Sequence, residues 1–399
     1  MANTLKFGNG EWYGKKDTIL AYNDENSNYK PLPFNFSRAS KATVINKDGL
    51  IEEVGSGEPR IDYKNNTKGA LLLEPSRSNA LPYSNKFLNT GWQYYRGTIT
   101  ANATISPDGT LNASRYQEDS QTGSHLFRRQ SLSITNGLSY TGSIFAKKGE
   151  LTSLRLASNS NSRWVAGAEF NLENGTVTSG TGVIENYGNG WYRCSISGNA
   201  VQTTTVAGFE IYTSVGVGRD GDGLFMYGAM FEQGSYATSY IPTSGSAVTR
   251  LADSCSQAVP DGVIGQTEGT LFIDFNIDVT SNFKHILNIK NSTNSERVIV
   301  YVRNTNLLRY QYPNGTYDEG STLSSGNHKI AITYSGSNIS FFRDGVKLTT
   351  NTNFAKTVTF SEISIGNYLN IDQLGNVVNQ SLFYNNALTD QELIALTQV

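Results

Sequence analysis

The sequence predicts an all-β protein made of tandem antiparallel sandwiches, and three observations carry that expectation. First, the composition suits strands joined by turns: Tyr (22) and Phe (18) are plentiful, Gly is frequent (39) and Met is rare (3). Second, apolar residues alternate with polar ones, as where Leu271, Ile273, Phe275 and Ile277 interleave with Asp274, Asn276 and Asp278, with Phe272 the one apolar residue in the second row. Third, turn signals punctuate the chain at short intervals, for example Asn171–Gly175 and Asp344–Gly345. Neither β-rich segment of the chain shows a fixed period of roughly 20–50 residues, so a solenoid or propeller is not expected.

The 399 residues leave room for two or three domains of roughly 100–200 residues each. Only 17% are charged, against about 25% in a typical soluble domain; Asn, Ser, Thr and Gly supply the polarity. Lys+Arg (32) nearly balance Asp+Glu (34), and there is no basic block. Nucleic acid is therefore not expected as a ligand, because phosphate binding needs clustered cations. No apolar run nears the roughly 20 residues of a membrane span, so membrane insertion is not expected. Residues 1–10 lack the apolar stretch of an export signal. Cys194 and Cys255 stand far from each other and from His125, His285 and His328. That spacing fits no zinc site and suggests two reduced thiols.

Four segments follow in order. Residues 1–79 are dense in Lys, Asp, Glu and Pro and weakly periodic, which predicts short strands and irregular arms without a large core of their own. Residues 80–248 predict a jelly roll: Ser139–Ala146 alternates, Phe209 and Ile211 share a face, and Leu224–Phe231 is apolar on both faces. Residues 249–267 read as a Ser/Gly/Thr-rich connector with a turn at Pro260–Gly262. Residues 268–399 predict a second sandwich, with a hairpin joining Lys329–Tyr334 to Asn338–Arg343 and a turn at Asp344–Gly345. The one helix expected lies at the end, where Thr389 and Glu392 form a capping box and Leu393, Ile394 and Leu396 anchor it.

Several stretches resemble known families. Phe36–Ser40, Lys47–Ile51, Pro59–Tyr63 and Gly69–Asn79 resemble a signature of tailed-phage structural proteins, and Leu5–Trp12 is similar to the N-termini of virion proteins from phages of Bacteroidetes hosts. Tyr140–Gly149, Gly190–Arg193, Tyr227–Gly234 and Tyr240–Ser246 resemble jelly-roll carbohydrate-binding modules. Related modules often end in an acidic pair that holds calcium; here that strand reads Met226–Ala229, a departure from the pattern. Gly269–Phe272, Phe342–Val346 and Leu382–Leu393 resemble the laminin-G/concanavalin A-like lectin sandwich. Together the resemblances imply a virion-surface fibre or decoration protein of head or tail. Residues 1–79 would attach it to other virion proteins, a homotrimer would be its assembly, and its modules would bind host-surface or mucus glycans. The alternatives are a purely structural decoration protein and a polysaccharide depolymerase.

Candidate sites come from residue chemistry. Pyranose rings stack their C–H faces on aromatics, and their hydroxyls need polar partners. Trp92, Tyr94, Tyr95 and Arg96 form one such cluster, and Arg163–Trp164 another after a loop-like stretch. Core packing is the competing reading for the indoles, and Trp191 is expected in the core. Asp220 and Asp222 are the calcium candidates, but they supply two of the roughly six to eight oxygens a site needs, and a tight turn is the preferred explanation. Arg38, Arg60, Asp62, Glu74 and Arg77 are read as an internal ion-pair lattice in preference to a docking surface. No motif singles out a carboxylate pair or nucleophile, so no catalytic residue and no cofactor is expected.

Overall fold

The computed structural model describes residues 4–8, 12–25, 28–89, 91–158, 164–278, 283–367 and 373–399. Antiparallel strands dominate, and Asp390–Leu396 is the one α-helix among the described residues. The chain divides into two compact units. One gathers residues 1–47, 54–76 and 251–399; the other gathers 48–53 and 77–250.

The unit of residues 77–250 stacks two six-stranded sheets. The first runs Trp92–Tyr95, Thr122–Ile134, Thr204–Val217, Ser153–Ser158, Gly167–Asn171, Thr176–Gly180. The second runs Gly97–Ile105, Leu111–Glu118, Gly223–Gln233, Ser139–Lys148, Trp191–Asn199, Val183–Asn186. Phe127, Phe209 and Ile211 of the first sheet and Tyr116, Met226 and Phe231 of the second meet in one core. Gly142 permits the approach, since a Cβ there would lie 2.6 Å from the Phe209 ring. Gly223–Gln233 is buried on both faces, as its unbroken apolar sequence implies. Trp191 is buried and donates to the Ile105 carbonyl (3.1 Å).

In the other unit the described strands of residues 4–47 and 54–76 are short, as expected, and they share a core with residues 251–399. Thr4–Gly8 pairs with both Thr18–Glu25 and Asn376–Tyr384, placing Lys6 opposite Leu382. Asn28–Ser37 pairs with Ser254–Ala258, which pairs in turn with Glu362–Ile365. The stretch expected as a connector thus holds a strand of the sheet. Leu5, Phe7, Phe34, Phe36, Leu71 and Leu73 share a core with Leu271, Ile273, Phe275 and Phe341. The period-two spacing of those N-terminal pairs was present in the sequence, but short strands and interspersed Pro and charge obscured it, and their partners lie far along the chain.

The ions of this region tie the chain together internally. Asp253 receives Arg38 Nη1 (3.1 Å), Arg60 Nη2 and the Glu74 amide (2.8 Å), while Arg60 Nη1 reaches Glu74 (2.6 Å). Asp62 accepts the amides of Ile45 (3.1 Å) and Lys64 (2.9 Å). In the other unit Arg77 lies 3.8 Å from buried Glu232. Both cysteines are free and buried, and burial pushes both thiols up in pKa.

The C-terminal expectations hold in detail. Gly326–Ser335 and Asn338–Arg343 pair directly, with Gly336 at φ +57° in the turn. Asp344 (φ 49°) and Gly345 (φ 80°) make the next turn, both left-handed as a tight hairpin requires. Thr389 and Glu392 cap the helix reciprocally, and Leu393 packs on Phe272, Phe342 and Leu382.

Candidate functional site

The six-stranded sheet that begins with Trp92–Tyr95 turns one face to the core and the other outward. Cross-strand partners share a face, so the register identifies the outward rows. Tyr95 stands opposite Leu126, Leu126 opposite Tyr212, and Tyr212 opposite Arg155. Beside that row, Gln93 stands opposite Arg128 and Arg128 opposite Glu210. Two tyrosines two strands apart, roughly 9–10 Å by strand spacing, thus flank Leu126 on one surface.

Charge holds the rings in place. The Arg128 guanidinium lies over the Tyr95 ring, 4.7 Å from its centre. Its Nε donates to Gln93 Oε1 (3.1 Å), Nη1 to Glu210 Oε1 (3.2 Å) and Nη2 to the Tyr95 hydroxyl (2.6 Å). Glu210 accepts on its other oxygen from the Tyr212 hydroxyl (2.6 Å). Burial and the Glu210 carboxylate push the Tyr212 phenol up to about 12, so it remains a donor. Arg155, exposed, lies over the Tyr212 ring at 5.3 Å. Among the described residues it makes no ion pair. The face therefore presents the Tyr95 ring and the half-buried Tyr212 ring over buried Leu126 and Glu210, with the Arg128 and Arg155 guanidiniums and the Gln93 amide beside them.

The residues proposed from sequence divide around this face. Tyr95 (37% exposed) lies on it. Tyr94 (46% exposed) has the opposite parity, opposite Phe127 at the sheet edge. Arg96 is exposed beyond the strand and donates to the Ser124 carbonyl (3.4 Å). Trp92 is a correction: it is 7% exposed, packs on Phe87 and Phe127, and donates to the Tyr83 carbonyl (2.9 Å). Trp164 is another, being wholly buried against Phe231 and donating to the Gly208 carbonyl (3.0 Å). Burial of a large apolar ring with its N–H satisfied outweighs display in both cases. Arg163 lies outside the described residues. Arg128, Arg155, Glu210 and Tyr212 were not singled out from sequence. The alternation on their strands carried the signal, but only the register joins it into one face.

Asp220 sits in a turn, and Asp222 donates its amide to the Arg219 carbonyl (2.8 Å). The nearby Glu118 carboxylate is occupied by Thr213 Oγ1 (2.7 Å) and the Arg219 amide (3.0 Å). Both aspartates lie in or beside the turn, and no group of three or more metal-ligating side chains occurs among the described residues.

In the other unit, Ser324, His328 and Asp344 have the outline of a hydrolytic triad. His328 Nδ1 is 2.7 Å from Asp344 Oδ2, and Nε2 is 3.5 Å from Ser324 Oγ. Nε2, however, faces the Ser324 carbonyl at 2.9 Å. Both ring nitrogens face acceptors, an arrangement that favours the doubly protonated ring. Burial opposes that charge, but Asp344 and the Ser324 carbonyl raise the pKa overall. An imidazolium has no lone pair with which to activate a serine.

No protein-family model matches the chain, and no curated protein matches it in sequence. Solved structures match weakly and are mostly carbohydrate-binding and lectin-like β-sandwich domains. The CBM40 module of the Ruminococcus gnavus IT-sialidase is 18% identical over 33% of this chain and 84% of its own, with a TM-score of 0.29. Domain 4 of the arabinanase AbnA of Geobacillus stearothermophilus, solved with arabinotriose, is 13% identical over 41% of this chain and 82% of its own, with a TM-score of 0.30. The Trypanosoma rangeli sialidase, solved with sialic acid, is 14% identical over 95% of this chain and 66% of its own, with a TM-score of 0.29. Likenesses at this level carry no ligand or activity over to this chain.

Proposed function

We propose that the chain is a non-catalytic glycan-binding protein and that the outward sheet face of residues 77–250 is its binding surface. The observation that carries this reading is the row Tyr95–Leu126–Tyr212 with Arg128, Glu210 and Arg155 around it. Two linked pyranose rings span about the roughly 9–10 Å between strands two apart. Fixed rings lose little entropy on binding. Each site would bind weakly, and multiple copies would raise avidity by effective concentration. The resemblance of residues 36–79 to phage structural proteins favours display on a virion surface as a fibre or decoration, with a homotrimer as the assembly. In that reading the ion lattice of residues 38–74 stabilises the fold and leaves attachment to other surfaces of that unit.

The test is a glycan array probed with the full chain, its Tyr95→Ala and Tyr212→Ala variants, and whole host-cell polysaccharide. Each ring should contribute about 0.5–1.5 kcal/mol, or roughly two- to thirteenfold in affinity. A blank array with the folded wild-type chain sinks the glycan reading. Antibodies to the chain that fail to decorate purified phage particles sink the virion reading separately.

A further inference from the structure

In the unit of residues 251–399 the strands Lys284–Lys290, Arg297–Val302, Leu307–Tyr312 and Gly315–Thr322 pair in that order. Leu287, Val300, Val302, Leu308 and Tyr310 join the core, so the residues that alternate with them point outward. The register lines up His285, Tyr301, Arg309 and Asp318 in one outward row. Phe283 and Arg303 flank the terminal pair Lys284–Val302 and therefore fall on the same side.

Aromatic groups occupy one end of this face. Phe283 is 42% exposed, and its ring centre lies 6.2 Å from that of half-buried Tyr301, the two planes inclined by 36°. The buried His285 ring lies 5.2 Å from Tyr301. A lone exposed phenylalanine needs no explanation. Here it continues a row of rings that runs into a cluster of charges.

The charges do not balance. Asp318 accepts Arg309 Nε on Oδ1 and Nη2 on Oδ2, each at 2.5 Å, as a bidentate pair. Arg303 Nη1 lies 3.5 Å from Oδ2, and the half-buried Arg303 side chain has no other hydrogen bond or ion pair among the described residues. Arg309 by its hydrogen bonds and charge, and Arg303 by its charge, hold the Asp318 carboxyl below its ordinary pKa. Two guanidiniums thus share one carboxylate, and the geometry commits that carboxylate to Arg309. One positive charge is left in excess at Arg303. The rings offer a surface to the C–H face of a sugar, and the excess charge selects an anionic substituent on it. From Phe283 to Asp318 the face crosses three strand spacings, roughly 14–15 Å, which is room for about two linked rings.

We propose that this outward face is a second saccharide site, formed without any residue of the sheet face of residues 77–250, that stacks a sugar ring on Phe283 and Tyr301 and pairs a uronate carboxylate with Arg303.

The experiment is titration calorimetry on the full chain with three probes: digalacturonate, its dimethyl ester (the same rings without the charge) and acetate (the charge without the rings). The variants are Arg303→Ala, Arg303→Lys, Phe283→Ala, and the double substitution Tyr95→Ala with Tyr212→Ala. Thermal melts confirm that each variant folds. The site is supported if digalacturonate binds more tightly than the ester and acetate binds more weakly than both. Phe283→Ala should then weaken both sugars by roughly two- to thirteenfold. Arg303→Ala should weaken digalacturonate alone, by up to about fivefold as for an exposed charge pair, and bring it level with the ester. Arg303→Lys should restore most of the preference, and the double variant should bind as the wild type does. The proposal is overturned if digalacturonate does not bind, if the ester binds equally well, if acetate binds as tightly as digalacturonate, or if either Arg303→Ala or Phe283→Ala binds as the wild type does. Loss of binding in the double variant would assign the ligand to the sheet face of residues 77–250 and also overturn this site.

Discussion

Replacing Asp253 with Asn should be among the most damaging single changes in the chain. Its carboxylate is wholly buried, as are Arg38 and Arg60, and Glu74 is nearly so. Two guanidiniums and two carboxylates balance there. Burial would lower the Arg60 pKa, yet Asp253 and Glu74 hold it above its ordinary value, so the arginine stays charged. Asp253→Asn leaves one positive charge unpaired in a fully buried site and turns an amide N–H₂ toward two donors. Breaking a buried ion pair by removing one partner costs about 3–5 kcal/mol. In a unit of this size about 1 kcal/mol shifts Tm by roughly 2–4 °C, so the transition of that unit should fall by roughly 6–20 °C. Differential scanning calorimetry measures it, with Asp62→Asn as a control. Asp62 accepts backbone amides and burial already raises its pKa, so neutralising it should cost much less. If Asp253→Asn melts within about 1 °C of the wild type, the ion lattice does not hold the N-terminal strands and the argument is refuted.

Three more outcomes are expected. Tyr212→Phe keeps the ring and loses the hydroxyl donated to Glu210, so glycan binding should persist while stability drops by about 1 kcal/mol; equal losses for Phe and Ala would mean that the ring is not the contact. His328 has a raised pKa in the folded state, so its contribution to stability is full below the unfolded value of about 6.5 and is lost as pH rises through the folded value. Urea midpoints taken from pH 5 to 9 should show this decline, and His328→Gln should flatten it. Thr389→Ala removes the N-cap and should cost about 1 kcal/mol, or roughly 2–4 °C, by thermal melt; an unchanged melt would show that the terminal helix adds nothing to the unit's stability.

Local order was legible in the sequence wherever one strand and its turn sufficed. The Asp344–Gly345 turn, the Thr389 cap and the alternation from Leu271 to Ile277 are each decided by residues a few positions apart, and each is present. The N-terminal strands were not legible, because nothing near Phe36 or Leu71 announces partners at Cys255 or Val378. Strands as short as Ala70–Leu73 hold their place through packing and through Asp253, not through local propensity.

The proposed binding face shows the same limit more sharply. Its residues come from four strands whose positions run from Gln93 to Tyr212, so no window of sequence contains it. The cluster from Trp92 to Arg96 looked like a platform because its aromatics are adjacent, yet adjacency in a strand means opposite faces. Trp92 turns inward, where its ring is covered and its N–H has the Tyr83 carbonyl. Tyr95, three residues on, turns outward, where Arg128 and Gln93 meet its hydroxyl. An arginine–glutamate pair from the next two strands fixes the Tyr95 ring on the outward face of the sheet. The parity rule could have assigned Trp92 and Tyr95 to opposite faces from sequence alone. Which strands stand beside Tyr95, and so which charged groups hold it, follows only from long-range register.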